Sequence, residues 1–209
     1  EQISLIPPAP MLPLQKDPSV IRKPQFARIE KVIPKSEWNV LQKEAKKKGI
    51  TTSTLLCTAY ALVLGYWSNQ PELTINVTVF TRYPFNEGVT DIVGDFTSVI
   101  LLRVNLLGRS DFWKLASEIQ NQLMDALEHR HYDGMNVIRK IAEQAEMKEQ
   151  AVMPVVFTSL LFSMEEGDIV TIEDLGEVKM GVSQTSQVYL DYQVMETKEG
   201  LLITWDYIK

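Results

Sequence analysis

The segment from Pro154 to Ser159, PVVFTS, places two adjacent hydroxyl side chains inside a run that otherwise predicts a buried β-strand. Apolar residues stand at both parities around Thr158 and Ser159, so we expect a central strand with both faces covered. A buried hydroxyl without a hydrogen bond costs about 1–3 kcal/mol. Thr158 and Ser159 therefore either bond to neighbouring core groups or line a cavity where they can act on a ligand.

An aspartate occupies a comparable position at the start of another apolar run. Asp95 lies in GDFT, from Gly94 to Thr97, at the mouth of a predicted strand. Aspartate in such a place is most often a turn or capping residue, because its side chain bonds to backbone N–H groups just ahead of it.

A second aspartate, Asp191, ends the segment SQTSQVYLD, which enters a predicted hairpin with strands at 187–195 and 201–207. Alternation places Asp191 and Gln187 on the face opposite the core residues. A three-residue loop at 197–199 would pair Asp191 with Trp205. The indole would partly desolvate the carboxyl and raise its pKa toward the range useful for general acid and base catalysis. The alternative is an ordinary solvent-facing aspartate beside an amphipathic tryptophan.

His129, Asp133 and Gly134 match HxxxDG, the pattern by which some acyltransferases supply a histidine general base. Here the histidine ends a predicted long helix, and the following residues are typical of a helix break. A catalytic histidine is expected at the mouth of a site, so the context favours a structural interpretation. Neither His129 nor His131 has partners at zinc spacing, and we expect no metal.

Composition excludes several function classes. The net charge is −6, with 21 basic and 27 acidic residues, which argues against nucleic acid or an anionic membrane as the main partner. No apolar run reaches the roughly 20 residues that span a bilayer. The single cysteine, Cys57, lies among apolar residues and allows no internal disulfide, so a reducing, cytoplasmic setting is expected.

Strands and helices interleave along the chain, which predicts an α/β or α+β fold with a mixed sheet flanked by helices. The helix after Thr51 is apolar on most sides and is expected to be buried. A Pro-rich segment, 5–18, predicts an extended connector. Further strands are expected at 26–33, 73–80 and 97–106, and further helices from Ser36 to Gly49, from Ser110 or Asp111 past Leu127, and from about 135 to 146.

These segments together resemble the heterocyclization domain of nonribosomal peptide synthetases, a variant of the condensation domain. The resemblance spans nearly the whole chain and rests on five ordered motifs. They are PPAPMLPL near the start, TSTLLCTAYALVLGYWS, GDFTSVILL, PVVFTSLL, and SQTSQVYLD followed by Trp205 and Asp206. The family usually has Pro in place of Ser186 and Leu in place of Val99, and neither difference removes a proton-transfer group.

The resemblance implies one lobe of a two-lobed, chloramphenicol-acetyltransferase-like fold. The family's DxxxxDxxS motif belongs to the N-terminal lobe and does not occur here. We therefore expect the C-terminal lobe at 25–209, preceded by an inter-lobe connector at 1–24, and no activity from the isolated chain.

The same resemblance implies the chemistry and its partners. Such domains join an upstream acyl or peptidyl thioester to a carrier-bound Cys, Ser or Thr, and then cyclodehydrate the product to a thiazoline or oxazoline. Asp191 is implied as the acid/base and Thr158 as its partner, while Gln187 and Ser159 orient the intermediate. Thr97 and Asp95 are implied to line the tunnel floor or stabilise the lobe junction.

The implied partners are the N-terminal lobe, upstream and downstream peptidyl carrier proteins with 4'-phosphopantetheine arms, and an adenylation domain of the same synthetase. No tightly bound cofactor is implied. Two other functions stay open at this point: an ordinary condensation or acyltransferase lobe that uses His129, and a non-catalytic lobe that only docks carriers.

Overall fold

The computed structural model describes residues 3–21, 23–82, 88–108, 111–146, 151–161 and 180–209. Ser110, named above as a possible helix start, lies outside these ranges. The strands are β1 (Phe26–Pro34), β2 (Glu72–Phe80), β3 (Thr97–Asn105), β4 (Val155–Leu160), β5 (Leu190–Thr197) and β6 (Gly200–Ile208). The helices are α1 (Lys35–Lys47), α2 (Thr52–Ser68), α3 (Phe112–Glu128) and α4 (Gly134–Gln144).

Within the described residues, the six strands form one mixed sheet in the order β1-β6-β5-β4-β2-β3. Strand β4 pairs in parallel with β5 on one side and with β2 on the other, whereas the remaining pairs are antiparallel. The predicted mixed sheet and the central place of β4 are both confirmed.

The two faces of this sheet differ in chemistry because the strands alternate. One face is apolar, and helices α1, α2 and α3 pack against it around the fully buried Trp38 and Phe157. The other face carries polar side chains, among them Thr78, Thr158 and Asp191. The polar face is where chemistry can take place.

Local capping explains where two of the helices begin. Thr51 caps α2 through a hydrogen bond that its side chain accepts from the Thr54 N–H, and Asp111 caps α3 in the same way. Ser36, at which the sequence predicted that α1 begins and which could have capped it, instead lies inside the first turn of the helix. Strand β1 runs directly into this helix, so Pro34 takes the cap position without a side-chain hydrogen bond.

The prediction that α2 is buried holds for only one side of the helix. Its sheet-facing side is buried, but Val63 is 48% exposed and Tyr66 is 81% exposed. A helix that covers a single sheet buries only the stripe that faces it, and the described residues place no further layer outside α2.

The hairpin β5–β6 has a shorter loop than predicted. Thr197 pairs with Gly200, so the loop has two residues and the register is shifted by one. Gly200 has a φ of 142°, and a Cβ there would collide with the carbonyl oxygen of Ile33. The position that requires glycine is therefore the first residue of β6 and not a residue of the loop.

The Pro-rich segment follows the rim of the sheet between two short 3₁₀ turns, Ile3–Leu5 and Pro18–Val20. Most of its backbone hydrogen bonds are made with residues elsewhere in the chain and not within the segment. The Thr74 N–H donates to the Pro8 carbonyl over 3.0 Å, and the Met11 N–H donates to Gln70 Oε1 over 2.6 Å.

Among the described residues, no single helix is both long enough and apolar enough to cross a bilayer. Helices α1 and α2 would meet that criterion only as a pair, and the pair is bent by 99°.

Candidate functional site

A cavity of about 340 Å³ opens on the polar face of the sheet. Four adjacent strands, β5, β4, β2 and β3, form its floor with every second side chain. Helix α4 and the segment 183–188 form its walls, through Met135 and Ile138 on one side and Gln187 on the other. The cavity is of the size that small organic ligands occupy in proteins.

Thr158 and Asp191 converge in this cavity from the adjacent strands β4 and β5. The Thr158 hydroxyl donates a hydrogen bond to Asp191 Oδ1 over 3.2 Å. A second hydroxyl, that of Thr78 on β2, lies 2.9 Å from Thr158 Oγ1. Three neighbouring strands thus supply a chain of two hydroxyls that ends on a carboxyl group, an arrangement that can pass a proton.

Burial dominates the electrostatics of Asp191, which is 6% exposed. Desolvation raises the pKa of this carboxyl, and hydrogen bonds from Gln193 and Thr158 oppose the rise. The Gln193 bond is short, at 2.6 Å from Nε2 to Asp191 Oδ2. The neighbouring charge of Asp206 also raises the pKa, so this site disfavours ionisation of the carboxyl relative to an aspartate in water.

The residue opposite Asp191 is not the predicted Trp205 but Asp206, because the hairpin register is shifted by one. Trp205 instead pairs with Tyr192 on the apolar face, where their ring centroids lie 4.5 Å apart. The desolvation of Asp191 therefore comes from burial on the polar face and not from the indole.

Ser159 does not share the cavity with Thr158. Successive residues of a strand point to opposite faces, and the Ser159 hydroxyl lies 2.7 Å from the Ser53 hydroxyl of α2. The family resemblance assigned Ser159 to orientation of the intermediate. In the structure its hydroxyl instead links β4 to α2 on the apolar side of the sheet, opposite the cavity.

The other residues implied by the sequence are divided between the cavity and its surroundings. Gln187 and Thr97 line the cavity. Asp95 lies outside the lining and accepts a hydrogen bond from the Thr97 N–H over 2.8 Å. The Thr97 hydroxyl and N–H together hold the pKa of Asp95 below its usual value. Asp95 thus acts as a turn residue that fixes the start of β3.

The sequence model of the Condensation domain family matches residues 4–209. The chain belongs to the condensation-domain family. Bacitracin synthase 1 from Bacillus licheniformis is 43% identical over 210 residues, covering 100% of this chain and 4% of that protein. Phenyloxazoline synthase MbtB from Mycobacterium tuberculosis is 33% identical over 209 residues, covering 99% of this chain and 14% of that protein.

The fold of this condensation-family chain also has solved counterparts. The EpoB NRPS cyclization-docking bidomain from Sorangium cellulosum superposes with a TM-score of 0.87 at 33% identity, over 100% of this chain and 42% of that chain. The predicted fold class, a mixed sheet flanked by helices as in a condensation or cyclization lobe, is confirmed. The chain spans a small part of its relatives' length.

Several cavity residues of this condensation-family chain were missed in the sequence, among them Asn76, Thr78 and Gln193. Asn76 on β2 lines the cavity, is 6% exposed, and its Oδ1 accepts no hydrogen bond from the described residues. The available signal was the alternation of ELTINVTVF, in which Asn76 and Thr78 share the polar parity. An unsatisfied buried amide oxygen is costly, so a substrate N–H or a water molecule is the expected partner.

The HxxxDG match has a structural role in this member of the condensation family. His129 ends α3, and its side chain is 76% exposed and lies outside the cavity lining. Asp133 caps α4 and also accepts a hydrogen bond from the Ser98 hydroxyl over 2.8 Å. A Cβ on Gly134 would collide with the Val99 carbonyl oxygen, so the glycine allows α4 to approach β3.

We therefore expect His129→Ala to leave the rate of amide formation, and of any step that follows it, within about twofold of the parent. Surface substitutions usually change the stability of a protein by less than about 0.5 kcal/mol. The measurement is product formation by the intact synthetase with both carriers loaded. Loss of amide formation in this variant would restore the histidine-dependent mechanism.

Proposed function

We propose that this chain is part of a nonribosomal peptide synthetase domain that forms an amide and then cyclodehydrates it. The amide joins an upstream carrier-bound acyl or peptidyl thioester to a carrier-bound Cys, Ser or Thr, and the ring product is a thiazoline or oxazoline. The observation that carries the proposal is the convergence of Thr158 and Asp191 on one cavity. Support also comes from relatives named as a phenyloxazoline synthase and a cyclization domain.

Ring closure needs a proton delivered to a poor leaving group. The side-chain sulfur or oxygen of the new residue attacks the amide carbonyl carbon, and the proton it loses passes to the carbonyl oxygen, which gives a tetrahedral intermediate that carries a hydroxyl. The bond from carbon to this hydroxyl then breaks, water leaves, and the ring nitrogen loses its proton as the C=N bond forms. Asp191 in its acid form donates the proton to the departing hydroxyl, and the resulting carboxylate takes up the nitrogen proton.

The hydroxyls beside Asp191 orient this transfer. Thr158 holds Oδ1 of the carboxyl while Gln193 holds Oδ2, so the carboxyl plane is fixed relative to the cavity. The apolar side chains of Met135 and Ile138 on the α4 wall limit the access of bulk water, which favours loss of water from the intermediate. Gln187 and the free amide oxygen of Asn76 are placed to contact the intermediate.

The proposal assigns the remaining parts of the reaction to partners. The cavity opens away from the sheet, and we place the N-terminal lobe of the same domain over it. Upstream and downstream carrier proteins deliver their substrates on 4'-phosphopantetheine arms, and an adenylation domain loads the downstream carrier. The free, buried thiol of Cys57 suits a reducing compartment, so the reaction is placed in the cytoplasm. The 209-residue chain alone is expected to be inactive.

A pair of variants at Thr158 tests the role of its hydroxyl. Thr158→Val keeps the shape of the side chain and removes the donor to Asp191, so we expect ring closure to slow about 100-fold, at the lower end of what a positioned proton-transfer group contributes. Thr158→Ser keeps the hydroxyl and should retain most of the rate. Both are measured as ring product per open-chain amide in the intact synthetase, and equal ratios in the two variants would reject the role.

A further inference from the structure

A buried ion pair lies directly behind the candidate acid. The Arg28 guanidinium of β1 bonds to the Asp206 carboxylate of β6 through two parallel hydrogen bonds, from Nε over 2.7 Å and from Nη2 over 2.6 Å. The Asp206 side chain is 1% exposed and that of Arg28 is 21% exposed. Such bidentate pairs fix the orientation of the carboxylate and also compensate its charge.

Asp206 reaches the site by two further contacts. Its Oδ2 accepts a hydrogen bond from the Ser183 N–H over 2.6 Å, which anchors the start of the cavity wall 183–188. The same oxygen lies 3.5 Å from Gln193 Nε2, the group that also bonds to Asp191. Since Asp191 and Asp206 are cross-strand partners, two carboxyl groups and one guanidinium share the polar face of three adjacent strands.

Few other charged or titratable groups face Asp191 in the described part of the chain. Tyr60 of α2 interacts with it from the apolar side of the sheet, and Arg28 of β1 attracts its ionised form and so opposes the effect of Asp206. The lining residues from β2, β3, β4, α4 and the wall 183–188 are uncharged. Asp206 is therefore the negative charge that acts most directly on the candidate acid.

We propose that Arg28 and Asp206 are positioning residues: Arg28 fixes the Asp206 carboxylate opposite Asp191, and Asp206 holds the adjacent cavity wall in place for ring closure. This inference rests on the proposed function. The fixed carboxylate of Asp206 disfavours a second negative charge on the opposite residue, because like charges this close repel strongly in a buried site. Arg28 makes the arrangement possible by compensating Asp206, which would otherwise be a buried, unpaired charge.

The charge on Asp206 is tested with Asp206→Asn in the intact synthetase with loaded carriers. Without the Asp206 charge, Asp191 loses its proton at lower pH, so the fall of ring closure on the alkaline side should move to lower pH. At neutral pH ring closure should fall about tenfold, within the range of coupling between neighbours in one ion-pair network. The open-chain amide should still form.

Asp206→Asn alone leaves the Arg28 charge without its partner, and a double variant controls for this effect. Arg28→Gln with Asp206→Asn removes both charges, and paired removal leaves no buried charge without a partner. The alkaline fall should again move to lower pH, but by less than in Asp206→Asn, because the loss of Arg28 also removes a positive charge that attracts ionised Asp191. Arg28→Lys keeps both charges and should keep the parental position of this fall. Glu30→Gln is the matched control, because it removes a charge that contacts the same Arg28 from the exposed side, at 3.6 Å.

The outcomes separate this inference from the proposed function. If Asp206→Asn or the double variant forms amide at the parental rate and keeps the parental pH profile and ring-to-amide ratio, the inference is overturned. Loss of amide formation in the double variant also overturns it, because the pair would then serve the fold or the first step. If the parent forms no ring at any pH, the proposed function itself fails.

Discussion

Replacing Asp191 by Asn should slow ring closure by about 10² to 10⁴-fold, the contribution typical of a positioned general acid or base. Amide formation should continue, because the proposed role of this carboxyl begins only after the amide exists. The carrier-bound product of the variant should therefore accumulate as the open-chain amide. Single-turnover kinetics in the intact synthetase, with products released from the carrier and identified by mass spectrometry, would measure both steps.

An exposed aspartate supplies the matched control for this prediction. Asp125→Asn makes the same chemical change on α3, where the side chain is 78% exposed, and it should leave both rates unchanged. Ring closure at the parental rate in Asp191→Asn would remove the carboxyl from the mechanism.

The stability of Asp191→Asn distinguishes a lost acid from a damaged fold. The fold raises the pKa of this carboxyl, so its stabilising contribution is present at low pH and is lost as the pH rises through the raised value. The variant has no charge to bury. It should unfold at a higher temperature than the parent at neutral pH, and this advantage should disappear in acid.

Replacing Phe157 by Ala should cost about 3–5 kcal/mol of stability, as is usual when a large buried aromatic side chain is removed. Phe157 is 1% exposed and packs against Tyr60 and Tyr192, with ring centroids 6.3 and 5.7 Å away. It directly precedes Thr158 on β4, so a cavity there would loosen the strand that carries the hydroxyl. Both ring closure and the unfolding temperature should fall.

The size of the effect can be checked by calorimetry on the intact condensation domain. A loss of this size lowers the unfolding temperature by about 6–20 °C when a unit of roughly 200 residues, the size of this chain, unfolds cooperatively. Tyr66→Ala is the control, because it removes an aromatic ring that is 81% exposed and should change stability by no more than about 0.5 kcal/mol. Similar losses in the two variants would contradict the packing described beneath the site.

The parts of the site that depend on strand parity could be predicted from the sequence. Alternation placed Asp191 and Thr158 on definite faces of two strands, and the family resemblance linked them. The two strands are parallel neighbours, as a cavity shared by both residues requires. The starts of two helices could also be predicted, because in each case one polar side chain, Thr51 or Asp111, caps the helix.

The parts that depend on packing over a distance were not predicted. The loop length of the hairpin depends on the space beside Gly200, which β1 fills, and a shift of one residue replaced Trp205 by Asp206 as the partner of Asp191. The exposure of Tyr66 depends on which layers are present outside α2. Asn76 became visible as a site residue only when four strands were aligned in one floor.

The mass of the product that the unaltered synthetase leaves on its downstream carrier tests the central proposal most directly. The upstream carrier would be loaded with its acyl group and the downstream carrier with Cys, Ser and Thr in turn. We predict that at least one of these products is lighter than the open-chain amide by one molecule of water, and that Asp191→Asn yields only the heavier species. Open-chain amide alone from the parent with all three residues would contradict the assignment of cyclodehydration to this cavity.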